Sequence, residues 1–440
     1  MGLNWAELHE RISRAEPAPV VGQVTGVVGL VIQSRGPRAM VGELCWVSPG
    51  DGSRDGLWAE VVGFRDKHTL LMPLGVLEGL SPGWEVRATG TAHPVGVGPG
   101  LLGRVLDGLG RPMDGLGRME TTAQYPVNAM PPDALSRQRI TAPLSTGVRS
   151  IDGLLTVGKG QRIGIFAGSG VGKSTLLGMM ARGTTADVNV IGLVGERGRE
   201  VREFIEEDLG EEGLRRSVVV VATSDQPALV RIKGALVATA IAEYFRDQGL
   251  AVLLMMDSVT RLAMAQREVG LAVGEPPATR GYTPSVFAML PKLLERSGNS
   301  HSGSITGIYT VLVDGDDVNE PIADAVRGIL DGHIVLSRRL ASMNHYPAVD
   351  VLGSVSRTMP QVTSTAHRRL AAKVRSTLAT YRENEDLVNI GAYQTGANPM
   401  LDFALQKLPL INDFLIQNTH GLTDLESALR GLEEIFPEGD

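Results

Sequence analysis

The sequence GQRIGIFAGSGVGKST occupies residues 160–175 and predicts a buried strand, a glycine-rich turn and the start of a helix. Ile163, Ile165 and Phe166 supply the apolar strand, and Leu176 begins a helical apolar face after the turn. The glycines of the turn tolerate the backbone angles that aim N–H groups at a phosphate. This strand–turn–helix context predicts a nucleotide-binding protein.

The turn carries the polar groups that a magnesium nucleotide requires. In the pattern G-x-x-x-x-G-K-[ST], the lysine, here Lys173, reaches the β- and γ-phosphates, and the hydroxyl of Ser174 binds Mg²⁺. Ala167 stands where the pattern begins with glycine, but the amides that hold the phosphates come from later residues. The predicted phosphate-binding residues are Gly168, Ser169, Gly170, Val171, Gly172, Lys173, Ser174 and Thr175.

Composition limits the class of protein. A length of 440 residues suggests two or three domains, and a 43% hydrophobic content supports a sizeable core. The net charge of −7 argues against nucleic acid as the main partner. Cys45 is the only cysteine, so neither an intramolecular disulfide nor a cysteine metal cluster is expected. Neither a signal peptide nor a run of 18 apolar residues is found, and we expect a cytoplasmic protein.

The region before the turn divides into an arm and a β-rich segment. Residues 3–15 predict an amphipathic helix that either packs on its own domain or docks on a partner or a membrane surface. Residues 20–93 predict short strands separated by glycine, proline and aspartate turns, which is typical of a small barrel. Such a barrel could bind oligonucleotides, but aromatic and basic residues are sparse, so an assembly collar is favoured.

Strands and helices alternate after the turn, which predicts a mostly parallel sheet covered by helices on both faces. The predicted strands are 188–194, 218–221 and 250–256, and the ligand site is expected at their carboxyl ends. The region beyond residue 360 is predicted to be helical, with a capping box from Thr423 to Glu426 opening its last helix.

Four further residues have patterns that suit nucleotide chemistry. Asp257 ends an apolar strand, where a carboxylate can hold Mg²⁺ through water beside Ser174. Glu196 also follows a strand and could orient the attacking water, although other glutamates lie nearby. By sequence alone, Arg357 is either a surface arginine or one delivered to a neighbouring subunit's site, and Tyr346 either stacks on adenine or belongs to the core.

The chain resembles the flagellar-type protein export ATPases of type III secretion systems and, more distantly, the catalytic subunits of rotary ATP synthases. The resemblance covers almost the whole chain. It rests on residues 167–175, 195–200, 256–261, 274–282, 312–317, 331–336, 346–350 and 354–357. The alanine at position 167 is usual in the export branch.

This resemblance implies a fold with a phosphate-loop core of the recombinase type, an N-terminal small β-barrel and a C-terminal helical domain. The expected boundaries are an arm at 1–19, a barrel at 20–93, an ATP-binding core at 94–358 and a helical domain at 359–440. It also implies a homohexameric ring with Mg-ATP at the subunit interfaces.

The resemblance assigns roles to individual residues. Glu196 becomes the catalytic carboxylate, Arg197 a phosphate contact, and Asp257 a residue that holds Mg²⁺ through water. Arg357 becomes the arginine that acts on a neighbouring subunit's site, and Tyr346 the residue that stacks on adenine.

It further implies partners and a location. The expected partners are a regulator on the N-terminal arm, a central stalk protein, a membrane export gate and chaperone–substrate complexes, with no nucleic acid. The expected location is the inner face of the cytoplasmic membrane, as a peripheral protein. Residues 313–321 and 389–393 favour a flagellar over a virulence system.

Two other functions use the same core. The first is a catalytic subunit of a rotary ATP synthase or vacuolar-type enzyme, which requires a hetero-hexamer. The second is an RNA translocase, against which the net charge weighs. The block at residues 275–282 and the N-terminal arm favour export.

Overall fold

The computed structural model describes Trp5 and residues 20–50, 55–313 and 320–437. The helix predicted at 3–15 lies outside the described residues except for Trp5, whose side chain is 73% exposed. The chain divides into two compact units. The first comprises Met1–His93 with Val269–Glu275, and the second comprises Pro94–Glu268 with Pro276–Asp440.

The first unit contains a closed six-stranded barrel with the strand order β1-β2-β5-β4-β3-β6. Apolar residues at alternating positions point into it, including Ile32, Cys45, Val47 and Leu71, which are almost fully buried. Its strands are β1 Gly22–Val28, β2 Val31–Arg35, β3 Glu43–Ser48, β4 Leu57–Arg65, β5 His68–Pro73 and β6 Glu85–Ala92.

The second unit is built on a mostly parallel sheet with the order β19-β18-β12-β17-β15-β13-β14-β8, in which β19 runs antiparallel to β18 and β16 pairs with β17. Buried β-branched and apolar residues fill its central strands, because helices cover both faces. The strands of this unit are β7 Pro94–Val97, β8 Val105–Asp107, β9 Ala123–Pro126, β10 Pro143–Leu144, β11 Val157–Gly158, β12 Arg162–Ala167, β13 Val188–Val194, β14 Ser217–Ala222, β15 Ala251–Asp257, β16 Gly298–Asn299, β17 Ser304–Leu312, β18 Gly332–Leu336 and β19 Val349–Ser356.

Helices connect these strands and follow the last one. The described α-helices are α1 Arg149–Leu154, α2 Lys173–Gly183, α3 Gly198–Glu203, α4 Gly210–Arg215, α5 Ala228–Asp247, α6 Val259–Val273, α7 Pro284–Leu294, α8 Pro321–Ile329, α9 Arg338–Ser342, α10 Met359–Val362, α11 Thr365–Asn389, α12 Pro399–Leu415 and α13 Leu425–Ile435. A π-helical turn, Phe204–Leu209, joins α3 to α4. Among the described helices, none is both long and apolar enough to cross a membrane.

The C-terminal helices dock on the core next to α1. The His367 ring bonds to the carbonyl oxygen of Gly153 through Nε2 at 2.7 Å. The Gln417 amide donates to the carbonyl oxygen of Gly147 and accepts from the backbone N–H of Arg149, both at 2.8 Å. The helical domain and the nucleotide-binding core therefore share polar as well as apolar contacts.

The predicted fold class is confirmed: a barrel, a mostly parallel α/β core and a helical C-terminal region are all present. The predicted capping box was wrong. Asp424 caps α13 by accepting from the backbone N–H of Ser427 at 2.8 Å, whereas the Thr423 hydroxyl is buried without a partner. Asp is as good an N-cap as Thr, and the backbone N–H of Thr423 bonds instead to Gly147 of the core.

Candidate active site

The phosphate-loop segment connects β12 to α2. The buried strand ends at Ala167, and α2 begins at Lys173. Gly170 and Gly172 have φ angles of 76° and 85°, in the left-handed region that other residues avoid. The intervening loop therefore turns sharply enough to leave the N-terminal amides of α2 available for an anion.

The strand register brings the other predicted residues to this loop. Ala167 of β12 pairs with Leu312 of β17, and Asp257 of β15 pairs with Leu193 of β13. These strands are parallel, so their carboxyl ends share one edge of the sheet. Glu196, three residues beyond Leu193, emerges at that same edge.

Lys173, Asp257 and Glu196 form one cluster. The ammonium Nζ of Lys173 lies 2.6 Å from Oδ1 of Asp257 and 3.4 Å from Oε1 of Glu196. All three side chains are at most 12% exposed. Burial acts against the lysine charge, but the two carboxylates outweigh it and raise the pKa of Lys173. The lysine is thus a fixed cation held at the mouth of the loop.

The protonation of Glu196 is shifted by its surroundings. Burial, with smaller contributions from the charge of Asp257 and a hydrogen bond to Glu200, raises the pKa of Glu196 to about 7, against the opposing effect of Lys173. A carboxyl group with a pKa near neutrality can exchange protons during a reaction at physiological pH. The environment of Glu196 therefore suits acid–base work.

Arg197 does not join this cluster. Its side chain is 71% exposed and its guanidinium lies 2.8 Å from Oε1 of Glu200, one turn into α3. The hydrogen bond that Glu200 shares with Glu196, followed by the interaction with Arg197, lowers the pKa of Glu200. Arg197 is therefore connected to Glu196 only through Glu200 in this structure.

The donor set can complete the coordination of Mg²⁺ only together with a nucleotide. Ser174 lies half-buried in the first turn of α2, and Asp257 faces the same edge. Within the described ranges, no cluster of three His, Cys, Asp or Glu side chains could hold a metal. Mg²⁺ typically combines one or two protein oxygens with substrate phosphates and waters, so the residues present fit this ion.

Tyr346 lies beside the loop. A Cβ atom built on Gly172 would be 3.4 Å from Cε1 of the Tyr346 ring, and the tyrosine is 38% exposed. The position follows from the sheet, since β19 begins at Val349, which pairs with Leu336 beside Ala167. An exposed aromatic face therefore flanks the phosphate loop.

Arg357 lies at the opposite edge of the sheet. Ser356 pairs with Gly332 at the start of β18, seven residues along β19 from Val349. At roughly 3.3 Å per residue, this is ~23 Å from the phosphate-loop edge. Arg357 is exposed and donates its backbone N–H to the carbonyl oxygen of Asp331 at 3.0 Å. The structure thus does not bring Arg357 to the phosphate loop of its own chain.

Two residues of this edge were not predicted from the sequence. The Thr310 hydroxyl on β17 donates to Oδ1 of Asp257 at 2.6 Å. Arg261 lies one turn into α6, its charge acts on Glu196, and its Nε is buried without a hydrogen-bond partner. Two sequence features could have indicated these residues. They are the threonine within the predicted core strand and the arginine four residues after Asp257.

Three family models match the chain in the order of its architecture. The beta-barrel domain of the ATP synthase alpha/beta family matches residues 24–90, and the nucleotide-binding domain of that family matches residues 147–356. The T3SS EscN ATPase C-terminal domain matches residues 363–434. The fold and the site therefore define a phosphate-loop nucleotide-binding protein with the three-part ATP synthase architecture.

Curated relatives narrow this class. The flagellum-specific ATP synthase of Bacillus subtilis (strain 168) is 57% identical over 414 residues, which is 94% of each chain. The type 3 secretion system ATPase of Xanthomonas euvesicatoria is 54% identical over 94% of this chain and 93% of its own. The chain belongs to the ATP synthase alpha/beta family, in the branch of flagellum-specific and type III secretion ATPases, as the resemblance predicted.

Solved structures agree with this assignment. The assembled ATPase EscN of the enteropathogenic E. coli type III secretion system superimposes with a TM-score of 0.89 at 48% identity, over 94% of this chain and 99% of that one. EscN in complex with its central stalk EscO gives a TM-score of 0.87 at 47% identity, over the same shares of the two chains.

Proposed function

We propose that this chain hydrolyses Mg-ATP at the interfaces of a homohexamer and thereby drives type III protein export in a flagellar system. The observation that carries the proposal is the cluster of Lys173, Asp257 and Glu196 at the mouth of the phosphate loop. The names of the relatives support export as the purpose of hydrolysis, and the flagellum-specific relative from Bacillus subtilis is more similar than the type 3 secretion relative from Xanthomonas euvesicatoria.

The binding step follows from the loop and its helix. The amides of residues 168–172 and the N-terminus of α2 receive the phosphates. The Lys173 ammonium exchanges its contact with Asp257 for one with the β- and γ-phosphates. Tyr346 offers its exposed face to the adenine ring. Ser174 would hold Mg²⁺ directly and Asp257 would hold it through water, and the ion would supply neutralisation of the phosphate charge.

The hydrolytic step needs an oriented water. Glu196 in its ionised form accepts a hydrogen bond from the attacking water and takes its proton as the bond to the γ-phosphorus forms. The bond between the γ-phosphorus and the β–γ bridging oxygen breaks at the same time, and ADP leaves with the electron pair of that bond. Removal of Lys173 from Glu196 by the incoming phosphates leaves this carboxylate free to act. Arg197 contacts the phosphates once nucleotide is bound, as the resemblance implies, and Arg261, whose charge acts on Glu196, is a second candidate for such a contact.

The second half of the site comes from the neighbouring subunit. Arg357 lies ~23 Å along the sheet from its own loop, so an arginine that stabilises transition-state charge must act on another chain. A head-to-tail contact that closes into a ring supplies such an arginine to every site. The similarity to the assembled ATPase EscN supports a ring for this chain as well.

The remaining expectations complete the proposal. The regulator on the N-terminal arm, the export gate and the chaperone–substrate complexes are proposed partners. A central stalk is proposed from the EscN–EscO complex. The proposed location is the inner face of the cytoplasmic membrane, and the proposed domain limits remain 1–19, 20–93, 94–358 and 359–440.

The test is the ATPase rate per subunit as a function of protein concentration, together with flagellar assembly in the source organism. The rate per subunit should rise with concentration as rings form. A strain that carries only the Glu196→Gln variant should lose motility. A rate per subunit that is independent of concentration would contradict hydrolysis at shared interfaces, and normal secretion of flagellar proteins by the variant strain would contradict the export role.

A further inference from the structure

The residues on either side of Arg357 are buried, although the arginine itself is exposed. Ser356, the last residue of β19, is 7% exposed, and Thr358 is 6% exposed. The guanidinium Nη1 of Arg357 lies 3.3 Å from the carbonyl oxygen of Leu330, on the segment before β18. An exposed cation is thus attached to a stretch of backbone that the interior of the core holds in place.

One buried side chain contacts both neighbours of Arg357. Gln161 is fully buried and immediately precedes β12. Its Nε2 donates to Oγ of Ser356 at 3.1 Å, and its Oε1 accepts a hydrogen bond from the hydroxyl of Thr358. The two hydroxyl oxygens lie 3.4 Å apart. The amide and the two hydroxyls therefore form one compact polar group beneath the arginine.

The same amide also holds the segment that binds the backbone of Arg357. Nε2 of Gln161 donates to the carbonyl oxygen of Asp331 at 3.1 Å, and that oxygen accepts the backbone N–H of Arg357 at 3.0 Å. Arg162 binds the Asp331 carboxylate through its backbone N–H at 3.0 Å and through its Nε at 3.1 Å. Asp331 is therefore fixed at its backbone by Gln161 and at its side chain by Arg162.

The orientation of the Gln161 amide is fixed by its partners. Oε1 also accepts the backbone N–H of Gly158 at 2.8 Å, so both the oxygen and the nitrogen of the amide are satisfied. An amide turned over would place Nε2 against the N–H of Gly158 and Oε1 against the carbonyl oxygen of Asp331. Both contacts would be repulsive inside the protein, where an unsatisfied polar group is costly. The amide thus has one stable arrangement, and that arrangement determines where residues 356–358 lie.

We propose that Gln161 is a positioning residue for Arg357, which it holds at the angle that reaches the nucleotide site of the neighbouring subunit. The inference rests on the proposed function, in which Arg357 acts on that site. A displacement of about 1 Å at a catalytic group can lower a rate by about 10²-fold. An arginine on a long, exposed side chain therefore depends on a backbone that does not move, and the Gln161 amide supplies three of the contacts around it.

The first experiment measures kcat and KM for ATP hydrolysis by the full chain with Gln161→Met. This change keeps the length of the side chain and removes its hydrogen bonds. The kcat should fall about 10–100-fold, because the arginine is misplaced in the transition state. The KM should stay within about twofold, because the loop that binds the phosphates is unchanged. Gln138→Met makes the same substitution at an exposed glutamine and should behave as wild type does. A raised KM with an unchanged kcat would overturn the inference.

The second experiment mixes two inactive variants to find which subunit's site Gln161→Met damages. Under the proposal, this variant has an intact phosphate loop and a misplaced arginine, whereas Glu196→Gln has an intact arginine and an inactive loop side. Both halves are intact where the first variant supplies the loop and the second supplies Arg357. An equimolar mixture should therefore regain up to about one quarter of the wild-type rate. A mixture that stays inactive would overturn the inference, because it would place the damage at the variant's own phosphate loop.

A parallel mixture separates this inference from the proposed function. Arg357→Ala mixed with Glu196→Gln should recover to the same extent if Arg357 acts on the neighbouring subunit. Recovery with Arg357→Ala but not with Gln161→Met would overturn the role of Gln161 and leave the shared site intact. Recovery with Gln161→Met alone would show that the glutamine acts through a residue other than Arg357. Recovery with neither would overturn the shared site itself, and the inference with it.

A milder change keeps the inference testable if Gln161→Met does not fold. Thr358→Val keeps the shape of the side chain, removes its hydrogen bond to Gln161 and should lower kcat about fivefold at unchanged KM. Thr358→Ser keeps the hydroxyl and should retain most of the rate. Thr363→Val is the matched control, because the Thr363 hydroxyl donates to the carbonyl oxygen of Met359 in its own turn. Equal kcat values for Thr358→Val and Thr363→Val would overturn the inference.

Discussion

Glu196 offers the sharpest test of the candidate site, through its charge and its pKa. The Glu196→Gln change keeps the shape of the side chain and removes the ionisable group beside Lys173. If Glu196 draws the proton from the attacking water, the rate of hydrolysis should fall by about 10²–10⁴-fold. Nucleotide binding should persist, since the phosphates are held by the loop amides and Lys173.

The pH dependence of hydrolysis gives a second quantitative prediction. Burial raises the pKa of Glu196 to about 7. The ionised, active fraction should therefore be about one tenth at pH 6 and about nine tenths at pH 8, so wild-type kcat/KM should rise ~10-fold across this range. The value of kcat/KM should rise with pH, because a carboxylic acid loses its active, charged form as the pH falls. The raised pKa of Glu196 places this change near neutral pH. The residual activity of Glu196→Gln should lack this rise.

The assay is steady-state phosphate release at saturating Mg²⁺ from pH 5.5 to 8.5, at a protein concentration where the rate per subunit has levelled off. Glu206→Gln is the matched control, because Glu206 lies outside the site, in the π-helical turn after α3, and pairs with Arg202 at the surface. It should behave as wild type does. Hydrolysis by Glu196→Gln within a few-fold of wild type would refute the assignment of Glu196, and a flat wild-type profile between pH 6 and 8 would refute its pKa.

Three other changes test the surroundings of the site and the core. Thr310→Val removes the hydrogen bond to Asp257 and should lower kcat/KM about tenfold or more, while Thr310→Ser should retain activity, as phosphate-release kinetics would show. Arg357→Ala subunits mixed into wild type should depress the rate by more than their share, and a linear dilution of the rate would contradict shared sites. Arg296→Met leaves the buried carboxylate of Glu243 unpaired and should cost about 3–5 kcal/mol in urea unfolding. The added change Glu243→Leu should restore most of that loss, and no recovery would contradict the pairing.

The fold could be predicted from the sequence because the hydrophobic patterns of its strands and helices are local and recur along the chain. Residues 188–194 are apolar except for Asn189, and the observed β13 has the same limits. Parallel strands of this kind place their carboxyl ends at one edge, so the proximity of Asp257 to Lys173 followed from the alternation of elements alone. The family resemblance then assigned roles that spacing could not.

Two features were not predicted from the sequence because they depend on contacts between distant segments. Thr310 is 53 residues from Asp257 and is one of several hydroxyl-bearing residues in β17, so nothing in its local pattern indicates a bond to that carboxylate. The N-cap of α13 was predicted at Thr423, but the structure has Asp424 in this role. This difference also arises from a contact with a distant segment. Both residues are good caps locally, and a contact of Thr423 with Gly147 of the core decided between them.

The direction of β19 places Tyr346 and Arg357 at opposite edges of the sheet. β19 runs antiparallel to its neighbour, so the segment that begins beside the phosphate loop at Val349 ends at the far edge of the sheet at Ser356. The strand therefore connects Tyr346, which lies beside the phosphate loop, to Arg357 at the far edge of the sheet. If Tyr346 stacks on adenine and Arg357 acts on a neighbouring subunit, as we propose, this strand connects two different nucleotide sites. Isolated chains should bind nucleotide and yet hydrolyse it slowly, since each contains only one half of a complete site.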